Sequence, residues 1–383
     1  VCSVSLTLFC RQIVTPSGVV CGNLVIENGL IRDIVPSDQP AMGAECLGDD
    51  LLIPGLVDIH TDNLEKHFQP RPGAQWDAVG AALAHDGQCA AAGITTVFDS
   101  LSLHGRKEGL DRKDALAPMI SGVDYAASQG MLRVDHLLHL RAEVTNPELT
   151  DLMEPYRHHP RLRLLSVMDH TPGQRQTADL KRFEERMVSS GHGASEVAEM
   201  LATQTAWRDQ SVAPANRAYV VAMAHKESIA LMSHDDESPD HVEESWDNGC
   251  IASEFPVSIA AARLAHERGM LNVMGAPNFV RGASHSGNLG ARDCAEAGLL
   301  DVLASDYIPL SMVRAAFQLT EAPFNWTLAD AIATVTYNPA RIAGLSDRGE
   351  IVEGRRADLV RIGYQNPGWP TVRRVWCEGR LVA

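Results

Sequence analysis

An apolar run, Leu51-Leu52-Ile53-Pro54-Gly55-Leu56-Val57-Asp58-Ile59, ends abruptly in His60 and Asp62. In a strand, residues two apart project from the same face, so an imidazole and a carboxylate would leave the strand end together. Side by side they form half a site for a divalent cation. The same event recurs along the chain. His139, Arg141 and Glu143 share one face of a strand over 133–143, His170 follows a strand over 163–169, His234 ends one over 229–234, and Asp306 ends one over 301–306. One histidine at a strand end is commonly a hydrogen-bonded structural residue. His60, Asp62, Glu143, His170, His234 and Asp306 together are three histidines and three carboxylates. That is about the ligand count required by two divalent ions sharing a water. Such a pair makes hydroxide available near neutral pH, and Asp306 is the candidate catalytic group to receive the water's proton. Histidine mixed with carboxylate suits zinc, manganese or iron.

These residues must be brought to one place by the elements that carry them. Strands are expected over 52–60, 94–99, 133–143, 163–169, 229–234, 251–255, 271–276 and 301–306. Helical stretches between them include 194–208, 214–226, 257–267 and 290–297. Eight strands separated by helical segments predict an α/β fold, a (β/α)₈ TIM-type barrel over 51–345, whose strand C-terminal ends meet at one rim. A doubly wound sheet is the alternative, but it gives no reason for polar residues at so many strand ends. Residues 1–50 and 346–383 are β-rich, with an Asn28-Gly29 hairpin signal between two apolar runs. They are expected to pack together as a small composite β-sandwich.

Composition limits the partners. A chain of 383 residues buries a large core. No apolar run reaches the roughly 20 residues of a membrane helix. The eight cysteines are scattered without a Cys-x-x-Cys pair, which fits reduced thiols in a cytoplasmic enzyme. A formal net charge of −16 argues against nonspecific binding to nucleic acid or anionic lipid. A small anionic substrate remains compatible, because metal ions and a local basic cluster reverse the field within one cleft. Enzymes of this size are often symmetric dimers, so a homodimer is a possible assembly.

Pro54-Gly55-Leu56-Val57-Asp58-Ile59-His60, the histidines His170 and His234, the strand-ending Asp306 and the tail Glu353-Gly354-Arg355-Arg356-Ala357-Asp358-Leu359-Val360 resemble the amidohydrolase superfamily across the whole chain. The resemblance implies a metal-dependent hydrolase with a distorted barrel and a small β-sandwich made from both chain ends. Longer motifs resemble one branch: His60-Thr61-Asp62-Asn63-Leu64-Glu65-Lys66-His67, Met168-Asp169-His170-Thr171-Pro172-Gly173-Gln174-Arg175-Gln176, Ser233-His234-Asp235-Asp236, and the stretch from Gly275 to Asn288. These are similar to the diphosphatases that act on α-D-ribose 1-methylphosphonate 5-triphosphate in the carbon–phosphorus lyase pathway. That branch implies a small anionic phosphorylated ribose substrate and release of pyrophosphate. The chain departs from the wider superfamily in carrying His60-x-Asp62 where most members have His-x-His. No lysine ends a middle strand to bridge two metals, so Glu143 is the candidate bridge, with Asp99 and Glu254 as alternatives.

A triphosphate brought into an acidic protein needs a counter-field. Lys66, Arg71, Arg141, Arg175 and Arg281 are the candidate basic residues at the rim; arginine suits bidentate phosphate contacts and lysine supplies a point charge. The Gly- and Ser-rich loop containing Ser284 and His285 is a further candidate for cradling phosphate through its backbone N–H groups. No Walker A loop is present, which excludes a P-loop triphosphatase. The competing expectation is hydrolysis of a C–N bond by a cyclic amidase, deaminase or N-acyl amino acid deacylase, because the same hydroxide attacks carbonyl carbon.

Overall fold

The computed structural model describes residues 5–107, 110–175, 180–189, 193–209, 211–282, 288–365 and 368–383. Eight parallel strands follow one another in sequence and in space: Leu56–Thr61, Ile94–Ser102, Asp135–Glu143, Leu162–Met168, Ala230–His234, Ala252–Glu254, Leu271–Gly275 and Val302–Ala304. A parallel bridge between Thr61 and Asp306 joins the last strand to the first. The backbone amide of Asp306 donates to the His60 carbonyl at 2.9 Å, and that of Asp62 to the Asp306 carbonyl at 2.7 Å. The barrel expected from strand–helix alternation is therefore the fold. Its interior is filled by Val57, Ile59, Phe98, Leu137, Leu164, Met232, Val273 and Val302, all buried. Helices cover the outside, among them Val212–Glu227, Ile259–Glu267 and Ala291–Glu296, and Ala194–Asp209 packs on Val212–Glu227. Among the described residues no helix is long and apolar enough to cross a membrane.

The stretch expected as one strand over 52–60 is two. Leu51–Pro54 pairs with Ser5–Thr15 and with Leu359–Gly363, whereas Leu56–Thr61 opens the barrel. Gly55 stands at the break, where Thr95 packs so closely that a Cβ would lie 2.2 Å from its Oγ1. Strands from both chain ends join through Leu51–Pro54 into one mixed eight-stranded sheet. Its apolar interior draws Leu8, Ile13, Leu24 and Ile26 from one end of the chain and Leu359 and Trp376 from the other. The Asn28-Gly29 turn has φ of 51° and 82°, the left-handed pair that a tight hairpin requires.

A buried ionic cluster clips the helix Ala78–Ala91 to the second and third barrel strands. Asp99 Oδ1 lies 3.1 Å from His85 Nε2, and Asp99 Oδ2 lies 2.9 Å from His136 Nδ1. His136 Nε2 in turn lies 3.6 Å from Asp86, which Arg133 also engages at 3.0 Å. Burial opposes a charge on His136, but Asp99 and Asp86 outweigh it and raise its pKa to about 9. Burial likewise opposes charge on Asp99, and His136 and His85 overcome it, holding the carboxyl well below the usual range. Asp99 thus faces the helix and is committed to this cluster, away from the rim.

Removing one member of a buried pair strands the other, so Asp99→Asn is expected to cost about 3–5 kcal/mol in denaturant unfolding at neutral pH. Because the folded pKa of His136 exceeds the unfolded value of ~6.5, its contribution is complete below that value and disappears as pH rises through about 9. The variant should show a flatter alkaline loss of stability over that window. An unchanged unfolding curve would assign the clip to other contacts.

Candidate metal centre

The strand C-termini open into a cleft of about 340 Å³ whose lining includes His60, Asp62, Lys66, Arg141, His234 and Asp306. Asp235, Phe255, Asn278 and Tyr307 also line it. Six residues expected at the site are brought to one place from the first, third, fifth and eighth strands and the segments that follow them. His170, from the end of the fourth strand, stands at the edge of this group, its ring centroid 5.4 Å from that of His234.

Carboxylates and imidazoles alternate around the rim. Glu143 Oε2 lies 2.7 Å from His170 Nδ1. His170 Nε2 and His234 Nε2 lie 3.5 and 3.4 Å from the same oxygen, Asp235 Oδ2. His234 Nδ1 meets Glu254 Oε2 at 2.7 Å, and Glu254 Oε1 meets His60 Nδ1 at 2.6 Å. His60 Nε2 then looks toward Asp62 Oδ1 at 3.9 Å.

Asp235 Oδ2 decides where a cation fits. It is buried and makes no hydrogen bond among the described residues. It sits between the outward nitrogens of two imidazoles whose other nitrogens are held by Glu143 and Glu254. His170, His234 and Asp235 each present one ligand atom to a common point. Tetrahedral ligands at roughly 2.0–2.1 Å from an ion are about 3.3–3.4 Å apart, close to the two spacings observed. The residues fit a divalent metal, and carboxylates on the far side of both rings are the usual supports of metal-binding histidines. The electrostatics agree. Burial opposes charge on His170, yet Glu143 and Asp235 outweigh it and raise its pKa to about 10. A field that strong would favour an ion in the proton's place.

Local backbone conformation aims the ligands. Asp235 and Phe255 directly follow the fifth and sixth strands, Asp306 stands two residues past the end of the eighth, and the three have φ of 54°, 56° and 54°. Left-handed backbone costs roughly 1–2 kcal/mol in a non-glycine residue. It is held by hydrogen bonds to the next strand: Asp235 N–H to the Glu254 carbonyl at 2.9 Å, and Phe255 N–H to the Val273 carbonyl at 2.8 Å. The turn swings the Asp235 carboxylate back over the barrel mouth.

Below this layer, His139 points into the barrel. It engages the Ile59 carbonyl at 3.0 Å and Ser166 Oγ at 2.5 Å. Burial, with His60 and Arg141 repelling positive charge, pushes its pKa down to about 3, so it stays neutral.

The remaining expected residues divide. Glu143 is fully engaged, accepting from Thr145 Oγ1 at 2.8 Å and from the His170 backbone and ring. In this arrangement it orients His170 from behind. Glu254, one of the alternatives to it, joins His60 to His234. Arg175 is turned inward and donates to the His234 carbonyl at 3.0 Å and to Asp236 at 3.1 Å. Arg71 is exposed on a turn bridged to Ala74 and is not among the cleft-lining residues. Lys66 and Arg281 converge on Tyr307. Lys66 Nζ donates to its carbonyl at 3.0 Å and stands 4.9 Å from its ring centroid, while Arg281 Nη1 is 3.5 Å from its hydroxyl. Ser284 and His285 lie outside the described residues.

Sequence reasoning passed over Asp235 and Tyr307. Asp235 stands in the quoted run Ser233-His234-Asp235-Asp236, but strict alternation assigns it to the face opposite His234. Only the left-handed turn reverses that. Tyr307 directly follows Asp306, and this position was the available signal.

A model of the amidohydrolase family matches residues 51–382. The chain is 38% identical over 377 residues to the alpha-D-ribose 1-methylphosphonate 5-triphosphate diphosphatase of Escherichia coli (strain K12), covering 97% of this chain and 98% of that protein. A shorter match, 36% over 102 residues, joins it to an allantoinase of Streptomyces avermitilis and covers 25% of this chain and 20% of the other. Among solved structures, N-acetyl-D-glucosamine-6-phosphate deacetylase from Mycobacterium smegmatis superimposes with a TM-score of 0.63 at 15% identity, covering 99% of this chain and all of that one (100%). Dihydropyrimidinase from Brevibacillus agri gives 0.56 at 12% identity, covering 99% of this chain and 95% of the other. At such identities these structures speak for the fold alone.

Proposed function

The chain belongs to the amidohydrolase family, and on that premise we propose that it is a metal-dependent diphosphatase. In this reading water cleaves the 5-triphosphate of a ribose 1-methylphosphonate, giving the 5-monophosphate and pyrophosphate. One observation carries the reading: the His170–His234–Asp235 group lies beside Asp306 in a cleft that Lys66 and Tyr307 line, with Arg281 reaching the Tyr307 hydroxyl from outside that lining. The similarity to the Escherichia coli diphosphatase over nearly the whole chain supports the same substrate class.

When bound, a divalent ion supplies Lewis acidity and brings the pKa of a water toward neutrality. The chain's own residues do the rest. His170, His234 and Asp235 would hold the ion, and Glu143 and Glu254 fix the two rings that would face it. Asp306 accepts the proton of the attacking water at its carboxylate and can return it to the departing pyrophosphate. Lys66 and Arg281 neutralise the polyphosphate and set the scissile phosphorus over the rim. Phosphoryl transfer asks little more of a protein than position and charge.

Phosphorus NMR of ribose 5-triphosphates bearing different 1-substituents tests the proposal. Pyrophosphate should appear together with the 5-monophosphate. Ammonia or carboxylate release from amide substrates, with the triphosphates untouched, would move the enzyme to C–N chemistry. For the lip, Lys66→Ala and Arg281→Ala are each expected to raise KM for the triphosphate about 10–100-fold. This follows from ~1.5–3 kcal/mol per hydrogen bond to a charged group, with kcat little altered because the contact is made equally in ground and transition states. A KM unchanged in steady-state assays would remove that residue from the phosphate site.

A further inference from the structure

Arg141 stands where the sequence places a metal half-site. His60-x-Asp62 reads as two ligands for a second ion, yet in the structure Arg141 Nη1 donates to Asp62 Oδ1 at 2.7 Å. Arg141 is 8% exposed and lines the floor of the cleft. The carboxylates that act on its charge include Asp62, Glu254, Asp306 and Asp235, and together they raise its already high pKa against the cost of burial. His60 is committed as well, its Nδ1 held by Glu254 at 2.6 Å and its Nε2 left 3.9 Å from Asp62. Among the described residues, three groups bring metal-ligating atoms to a common point, and none of them contains Asp62 or Asp306. The group that does contain His60 is completed by His139 and Glu254. Both ring nitrogens of His139 are engaged, by Ile59 and Ser166.

We propose that the Arg141 guanidinium is the permanent cation on the Asp62 side of the centre, so that the enzyme loads a single divalent ion in the His170–His234–Asp235 group. The proposal rests on the reading of that group as a metal site. A guanidinium is always charged, weakly hydrated and rigid, so it can neutralise neighbouring carboxylates in a buried place without exchanging with solvent. It also presents N–H donors to a bound anion, which a second metal would otherwise polarise. The substitution of Asp for the second histidine of the usual His-x-His pair then has a physical reason: a neutral imidazole at position 62 could accept one N–H but would not supply the negative charge that compensates the buried Arg141.

Metal stoichiometry tests this without reference to turnover. Purified full-length protein, stripped with chelator, is reloaded with excess Zn²⁺ or Mn²⁺, passed through a desalting column and analysed by elemental mass spectrometry. Wild type should carry about one ion per chain. Arg141→Met, which keeps length and removes charge, should acquire a second ion, and Arg141→Lys should stay at one. Asp62→Asn should also keep its one ion, because Asp62 holds the arginine and not the metal. Circular dichroism checks the fold of each variant, and wild type alone already discriminates. Two ions in wild type would overturn the Arg141 proposal while leaving the hydrolase reading intact. Zero ions would overturn the metal reading itself, and with it this inference. A second ion absent from folded Arg141→Met, or the ion lost from folded Asp62→Asn, would also overturn the role given to Arg141.

Discussion

With Asp306 replaced by Asn, kcat is expected to fall by about 10²–10⁴-fold, the usual contribution of a positioned general acid–base group. The metal content should not change. Three features make this a clean experiment. The backbone of residue 306 closes the barrel through its amide to His60 at 2.9 Å and its carbonyl to Asp62 at 2.7 Å, and neither bond involves the side chain. The residue has φ 54°, a left-handed conformation that Asn tolerates nearly as well as Asp. Its carboxylate is outside the His170–His234–Asp235 group, so the ion should stay. What the variant lacks is a basic oxygen next to the reacting water. Asp306 Oδ2 lies 3.7 Å from where a Cβ on Gly275 would stand, so it borders the cleft-lining glycine of the seventh strand. A folded, metal-loaded Asp306→Asn enzyme turning over at the wild-type rate would end the proton-transfer role.

The second large effect is expected at Asp235. Changing it to Asn removes the charged oxygen that faces both His170 Nε2 and His234 Nε2 at 3.5 and 3.4 Å. Asn is preferred to Ala here because residue 235 also has left-handed backbone, φ 54°. An alanine would add a folding cost to the loss of a ligand. The ion should then be retained poorly through desalting. Activity at ordinary metal concentration should drop about 10³-fold or more, the equivalent of several kcal/mol of Lewis-acid stabilisation. Excess metal should restore part of it, which separates weakened binding from misfolding. Full metal occupancy with wild-type turnover would exclude Asp235 as a ligand.

These two carboxylates show how unevenly the site could be read in advance. Asp306 ends an apolar run, so its place at the rim follows from the barrel pattern alone. Asp235 has the same chemistry and stands next to a histidine already singled out. Period-two alternation points it the wrong way, and only the left-handed turn held by the Glu254 carbonyl brings it back. Arg141 is the reverse case. Its place on one face of the third strand follows from the spacing His139-x-Arg141-x-Glu143, but whether it reaches up to a substrate or across to Asp62 depends on a residue 79 positions away. Arg175, a candidate phosphate-binding group by its sequence, is instead directed at Asp236, just past the end of the fifth strand.

The order of strands and helices, the rim on which polar residues gather, and the family were all determined by local pattern. Apolar runs of strand length set the elements, and a parallel barrel admits only one end at which their polar termini can meet. Tertiary structure decided what each charge at that rim is for. Buried carboxylates, imidazoles and guanidinium groups must satisfy one another within a few ångströms, and that pairing is settled by closure of the eighth strand onto the first and by three backbone turns, neither of which has a local sequence signature. The same polar side chains could have been shared out differently around the mouth; the packed barrel leaves Asp235 Oδ2 facing two imidazoles and gives Asp62 to Arg141.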